Sequence, residues 1–118
     1  MSQILSNIFY IQTNMKLYHW MTKSYARHKA ADNFIESFLD LTDKFVEVYI
    51  GKYGRPTLSK QDRKLHINNF DDKSISKLLD EGIHIFTNFK NEKDVDLLNI
   101  RDEIISLFHQ TKYLFTLD

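Results

Sequence analysis

Two imidazoles and three carboxylates in the first half of the chain stand at spacings that could hold metal: His19, His28, Asp32, Asp43 and Glu47. Divalent iron, manganese and zinc all accept mixed imidazole and carboxylate ligands, and a dinuclear site needs several carboxylates to bridge and neutralise its cations. The last four positions mirror one another, 28 pairing with 47 and 32 with 43 about a midpoint near residue 37. At 3.6 residues per turn all four fall within about 100° of arc on one helix. Yet Asp32 and Asp43 lie eleven residues apart, roughly 16 Å along the axis and too distant to share one ion. Antiparallel packing of that helix against its own copy across a two-fold axis would bring His28 and Asp32 of one chain to Asp43 and Glu47 of the other. Two identical clusters would form. The alternative is a solvated acidic face, on which His28 and Asp32 are an ordinary surface ion pair. Asp32 with Glu36 and Asp43 with Glu47 are like-charge i,i+4 pairs, each unfavourable by roughly 0.2–0.5 kcal/mol in an isolated helix. Only Lys29 and Lys44 stand near enough to offset them.

The elements that must position these residues read as helices. Three glycines and one proline in 118 residues leave few breaks. A first segment, about residues 2–22, carries Ile4, Ile8, Ile11, Met15 and Tyr18 in steps of four and three. His19 lies on the flank of that apolar face, as either a structural histidine or a fifth ligand. A second segment starts behind Ser24, an N-cap residue, and runs to about Ile50 with Ala31, Ile35, Phe38, Thr42, Phe45 and Tyr49 inward. Gly51, Gly54 and Pro56 are expected to end it. A long, locally basic connection covers about 51–70, with Lys52, Arg55, Lys60, Arg63 and Lys64. A third segment behind Asp71 and Asp72 carries Ile75, Leu78, Leu79, Ile83, Phe86 and Phe89. The fourth, opening at Asp94 or Asp96, carries Leu97, Ile100, Ile104, Leu107, Phe108, Thr111 and Phe115. Four amphipathic helices with one long link predict an all-α four-helix bundle formed as a single domain over 1–118.

Two further apolar sets fall outside the main stripes. Phe34, Leu41 and Val48 recur every seven residues on the second segment, and Leu5, Phe9 and Trp20 flank the first. They predict either contact surfaces for a second copy or a broad core.

Composition narrows the chemistry. Sixteen basic and sixteen acidic residues cancel, so no global field draws nucleic acid or anionic membrane. With no cysteine, disulfides, thiolate zinc sites and Cys nucleophiles are excluded. No apolar run approaches the ~20 residues that span a bilayer. MSQILSNIFYIQTNMK lacks the basic and small-residue features of a signal peptide, which makes the cytoplasm the expected compartment. Glu81 and His84 form an E-x-x-H, but they point away from the Leu79/Ile83/Phe86 face. Asp102 and His109 lie off their helix's apolar stripe, and His66 sits alone in the connection. No P-loop, dinucleotide fingerprint or nucleophile elbow is present.

The order His19-Trp20, then H-x3-D (His28, Asp32), then D-x3-E (Asp43, Glu47) resembles the Dps-type mini-ferritins, over residues 14–50. The stretches TKSYARHKA and GKYGRP resemble more closely a short ferritin-like group encoded by phages and large DNA viruses. The resemblance implies a ferritin-like bundle whose His19, His28 and Asp32 face Asp43 and Glu47 of a two-fold mate at a ferroxidase centre. Fe(II) would be oxidised there by peroxide or dioxygen, with Glu47 bridging. Zinc or manganese are the other candidate metals. Trp20 is either an acceptor of oxidising equivalents or a contact-surface aromatic. A homo-oligomer is implied, a dimer at least and a dodecameric cage at the fullest, in the host cytoplasm if the chain is viral. The gap after His19-Trp20 is about three residues shorter than usual for the family, and Val48 stands where it usually has Arg. The basic tail of DNA-binding members has no counterpart here, so neither nucleic acid nor membrane is an expected partner. The rival expectations are a non-enzymatic oligomeric bundle with a vestigial acidic stripe, and a static metal site that holds a dimer without redox chemistry.

Overall fold

The structure, a computed structural model, describes residues 1–117. It contains four α-helices and one short 3₁₀ turn, with no strand among the described residues. The helices are α1 (Ser2–Met21), α2 (Tyr25–Tyr53), α3 (Ile75–Thr87) and α4 (Val95–Leu114); the 3₁₀ turn, Gln61–Arg63, sits in the connection between α2 and α3. No helix is long and apolar enough to cross a membrane. Ser24 caps α2 as its sequence predicts, its hydroxyl accepting the Arg27 N–H at 3.2 Å. The helix ends later than expected. Glycine inside a helix costs only about 1 kcal/mol relative to alanine, so α2 continues through Gly51 to Tyr53. It stops at Gly54, whose φ of 88° lies in the region that favours glycine.

Neighbouring helices run antiparallel, in the ring order α1–α2–α4–α3. The first turn of α1 lies beside the last turn of α3, with Ile4 and Asn7 near Ile85 and Asn88. The end of α2 meets the start of α4 where Lys52 and Tyr53 bond Asp94. α2 and α3 are therefore parallel, and the connection between them must travel the length of the bundle. It does so along α1. Ser2 Oγ donates to Asp62 Oδ2 at 2.7 Å and accepts the Ser59 N–H at 2.8 Å. Halfway up, buried Asn14 donates to the carbonyls of Tyr10 (2.8 Å) and His66 (2.9 Å) and accepts the Asn68 N–H at 2.7 Å. At the top, Tyr18 and Thr22 hydroxyls donate to Asp72 at 2.7 and 2.8 Å, while Arg27 donates to the Tyr18 hydroxyl and the Asp72 carbonyl.

The core is aromatic at its centre. Phe38 and Phe86 meet edge-on at 6.2 Å, Phe38 and Phe108 at 5.6 Å, and Phe45 packs against Phe86 at 6.1 Å. The seven-residue stripe on α2 belongs to this core. Phe34 is fully buried, 5.1 Å from Phe38 and 5.3 Å from Phe108, and Leu41 and Val48 pack against the same cluster. The reason is that α2 lies between α1 and α4, so its apolar face must serve two neighbours and is wider than one stripe. On α1, by contrast, Phe9 and Trp20 are exposed, and Leu5 is half-buried.

Two tests follow from this packing. A Cβ at Gly82 would overlap the ring of Phe108, which Phe34, Phe38 and Phe86 hold in place. Gly82→Ala should therefore lose about 1–3 kcal/mol by overpacking despite alanine's better helix propensity, as measured by denaturant midpoint; a stabilised variant would refute the packing. Lys52 first and Tyr53 second hold the Asp94 carboxyl below its usual range, and the Tyr18 and Thr22 hydroxyls do the same for Asp72. A depressed carboxylate stabilises the fold above its unfolded value of about 3.9 and loses that contribution as pH falls through the folded value. The thermal midpoint should drop below about pH 4, and Asp94→Asn should lower it at neutral pH while flattening the acid limb.

Candidate metal centre

The three-residue turn between α1 and α2 brings His19 and His28 face to face. Their rings stack at 3.9 Å with 18° between planes. His19 Nδ1 lies 2.9 Å from the His28 carbonyl, and His28 Nδ1 lies 2.9 Å from the His19 carbonyl. A carbonyl can only accept, so in the neutral rings both Nδ1 atoms carry the proton and both Nε2 atoms keep the lone pair. An imidazole held this way, Nδ1–H on a backbone carbonyl and Nε2 free, has the tautomer and support that metal-ligating histidines commonly have. Neither Nε2 makes a hydrogen bond among the described residues. His19 Nε2 lies 4.0 Å from Asp32 Oδ1, and their side chains are 9% and 40% exposed. Asp32, one turn further along α2 than His28, is thus the carboxylate that stands beside the His19 ring.

Asp43 and Glu47 are exposed and stand elsewhere on the same helix face. They line a cleft of about 380 Å³ with Leu39, Thr42 and Val46 of α2 and Leu5, Ile8, Phe9 and Gln12 of α1. Among the described residues, no three His, Asp or Glu side chains of one chain group closely enough to hold a metal ion. The five residues therefore fall into two separate parts of one surface, His19/His28/Asp32 and Asp43/Glu47. Around the α2 axis, Ile35, Leu39 and Val46 lie within about 60° of the acidic row. Leu39 is 47% exposed, while Ile35 and Val46 are partly buried. Ile35, Leu39, Leu17, Trp20 and Ile67 also line a neighbouring groove of about 470 Å³.

Trp20, 64% exposed, lines that groove, and Lys16 lies over its ring at 5.5 Å. Glu81, His84, Asp102 and His109 are exposed, as their faces predict, and His84 only accepts from Asn88 Nδ2 at 3.0 Å. His66 contributes its carbonyl rather than its ring. Sequence reasoning missed the reciprocal carbonyl contacts of His19 and His28. The nine-residue separation and the break between the two segments were visible, but the atoms that meet across it were not. Solution NMR checks the clasp: in mildly alkaline buffer, long-range nitrogen–proton correlations should show both rings as the Nδ1–H tautomer, and Nε2–H signals on either would refute it.

Comparison with known proteins places the chain without assigning it an activity. It is 35% identical over 100 residues, 85% of this chain and 75% of the other, to an "Uncharacterized 14.6 kDa protein in mobD-ri intergenic region" of Enterobacteria phage T4. No solved structure matches the chain. Residues 19–115, from His19 to the last turn after α4, match the family described as "Family of unknown function (DUF5856)", and the chain belongs to that family.

Proposed function

We propose that the protein is a ferritin-like, divalent-metal-binding bundle that captures Fe(II) between two copies of itself and oxidises it. The observation that carries this reading is the pair of imidazoles whose Nδ1–H groups are spent on backbone carbonyls, leaving both Nε2 lone pairs unused and that of His19 4.0 Å from Asp32 Oδ1. The ring order α1–α2–α4–α3, with α2 and α3 parallel and joined by one long crossover, is the connectivity that distinguishes ferritin-like bundles from simple up-and-down ones. His19, His28 and Asp32 would bind from one chain. Asp43 and Glu47 would bind from its mate, Glu47 bridging two Fe(II) ions. With hydrogen peroxide as oxidant, each Fe(II) gives one electron, the O–O bond breaks, and two protons complete two waters. The protein's part is to hold two cations side by side and to balance their charge with carboxylates. Iron is substrate here; zinc or manganese would occupy the same donors without turnover.

The rival reading is a non-enzymatic phage-type bundle that self-associates, with the acidic row structural. It draws on the absence, among the described residues, of any three potential ligands grouped within one chain. Adding Fe(II) without oxygen, then peroxide, and following ferric absorbance separates the two. Asp43 and Glu47 are exposed, so an Asp43→Ala/Glu47→Ala variant should fold normally. It should oxidise iron at least roughly tenfold more slowly than wild type, a loss that even outer-shell partners of a metal can cause. Equal rates would rule out oxidation at this site.

A further inference from the structure

The equal totals of acid and base conceal a segregation. Residues 1–31 contain four basic residues and no acidic one, and residues 51–70 add five basic residues to the single carboxylate of Asp62. The fold lays that second segment along α1, whose only Lys, Arg, Asp or Glu is Lys16. Asp62 is engaged within the segment, accepting the Ser2 and Ser59 hydroxyls at 2.7 and 2.8 Å. Arg55, Lys60, Arg63 and Lys64 are exposed, and none of them joins an ion pair among the described residues. Ser2 pins the chain at Ser59 and Asp62, and Asn14 pins it at His66 and Asn68. Lys60, Arg63 and Lys64 are therefore held on one edge of α1 and do not swing on a free loop. Apolar side chains stand exposed beside them. Leu65 is 47% exposed and Ile67 58%, and Ile67 shares the groove of about 470 Å³ with Leu17, Trp20, Ile35 and Leu39.

We propose that the connection and the outer face of α1 form a docking surface for an anionic phospholipid membrane. Lys60, Arg63 and Lys64 meet the headgroups, while Trp20, Leu65 and Ile67 seat at the boundary between headgroup and acyl chain. Exposed aromatic and aliphatic side chains interleaved with cations suit that boundary, which offers an apolar and an anionic layer together. A nucleic-acid backbone would satisfy the cations but leave Leu65, Ile67 and Leu39 without a partner. The acidic row of α2 lies across the groove on the adjoining side of the ring. It sets the orientation, because an anionic surface attracts the connection and repels the row. The docking surface uses none of the five candidate metal ligands and stands independently of the iron reading.

Co-sedimentation of the full chain with phospholipid vesicles tests this, using phosphatidylcholine alone or with about one-third phosphatidylglycerol. Binding to the anionic vesicles should be at least roughly tenfold tighter than to the neutral ones, and added salt should release it. Trp20 is the sole tryptophan, so its emission reports the docked face directly and should shift to the blue on binding. Lys60→Glu/Lys64→Glu should weaken binding by roughly tenfold or more. Leu65→Ser/Ile67→Ser, which leaves the charge unchanged, should also weaken it and reduce the blue shift. All four positions are exposed, so both variants should keep the helical circular dichroism of wild type; the lipid and salt dependence of wild type decides the matter even if they do not. No binding at low salt, or equal binding to neutral and anionic vesicles, would overturn the proposal. Binding with unchanged Trp20 emission would place another face on the membrane and overturn it as well. Tighter binding to random-sequence duplex DNA than to vesicles, insensitive to Leu65→Ser/Ile67→Ser, would assign the basic edge to nucleic acid instead.

Discussion

α2 carries more apolar surface than one neighbour can cover, and the bundle is organised around burying it. Phe34, Phe38 and Phe45 occupy the α4 and α3 side through Phe108 and Phe86. Tyr18, Met15 and Ile11 of α1 belong to the same buried cluster. Gly82 is part of this constraint, because the absence of a side chain there lets Phe108 lie against α3. Once these faces are buried, the orientation of α2 is fixed, and its row of Asp32, Glu36, Asp43 and Glu47 must point away from the core. The candidate site is in that sense a by-product of packing: burying one side of the helix determines which side can meet a partner.

Polar contacts pin what the core leaves loose. Asp94 is almost wholly buried, yet it is paired with Lys52 and takes the Tyr53 hydroxyl at 2.6 Å. That satisfied carboxylate ties the end of α2 to the start of α4. Asn14 and Asp72 anchor the long connection along α1 at its middle and far end. No buried side-chain nitrogen or oxygen among the described residues lacks a partner. The connection is thus held at intervals by side chains of α1 rather than by elements of its own, apart from the 3₁₀ turn at Gln61–Arg63.

The clasp of His19 and His28 joins the fold to its surface chemistry. It closes the corner between α1 and α2, and at the same time it sets the tautomer of both rings. A structural role and a ligand role are compatible here because they use different nitrogens: Nδ1 bonds the backbone, and Nε2 is left toward Asp32. Asp43 and Glu47 lie further down α2, since a helix cannot bend back on itself. A site assembled from both halves requires two molecules.

Much of the scaffold was legible in the sequence. The steps of three and four along each segment, Ser24 as a cap and the scarcity of Gly and Pro fixed four helices and one long link. The mirror spacing of His28, Asp32, Asp43 and Glu47 was also legible, because helical geometry converts sequence separation directly into angle and rise. What sequence left open was the width of the α2 core: Phe34, Leu41 and Val48 fitted a contact stripe as well as a broad core, because the period alone cannot say how many neighbours a helix has. Gly51 misled for a similar reason, since a glycine permits a stop without imposing one. The stacking of His19 on His28, the seat of Phe108 on Gly82 and the anchoring of the connection by Asn14 were decided only by tertiary structure. Each depends on where a distant backbone passes, and local propensity carries no information about that.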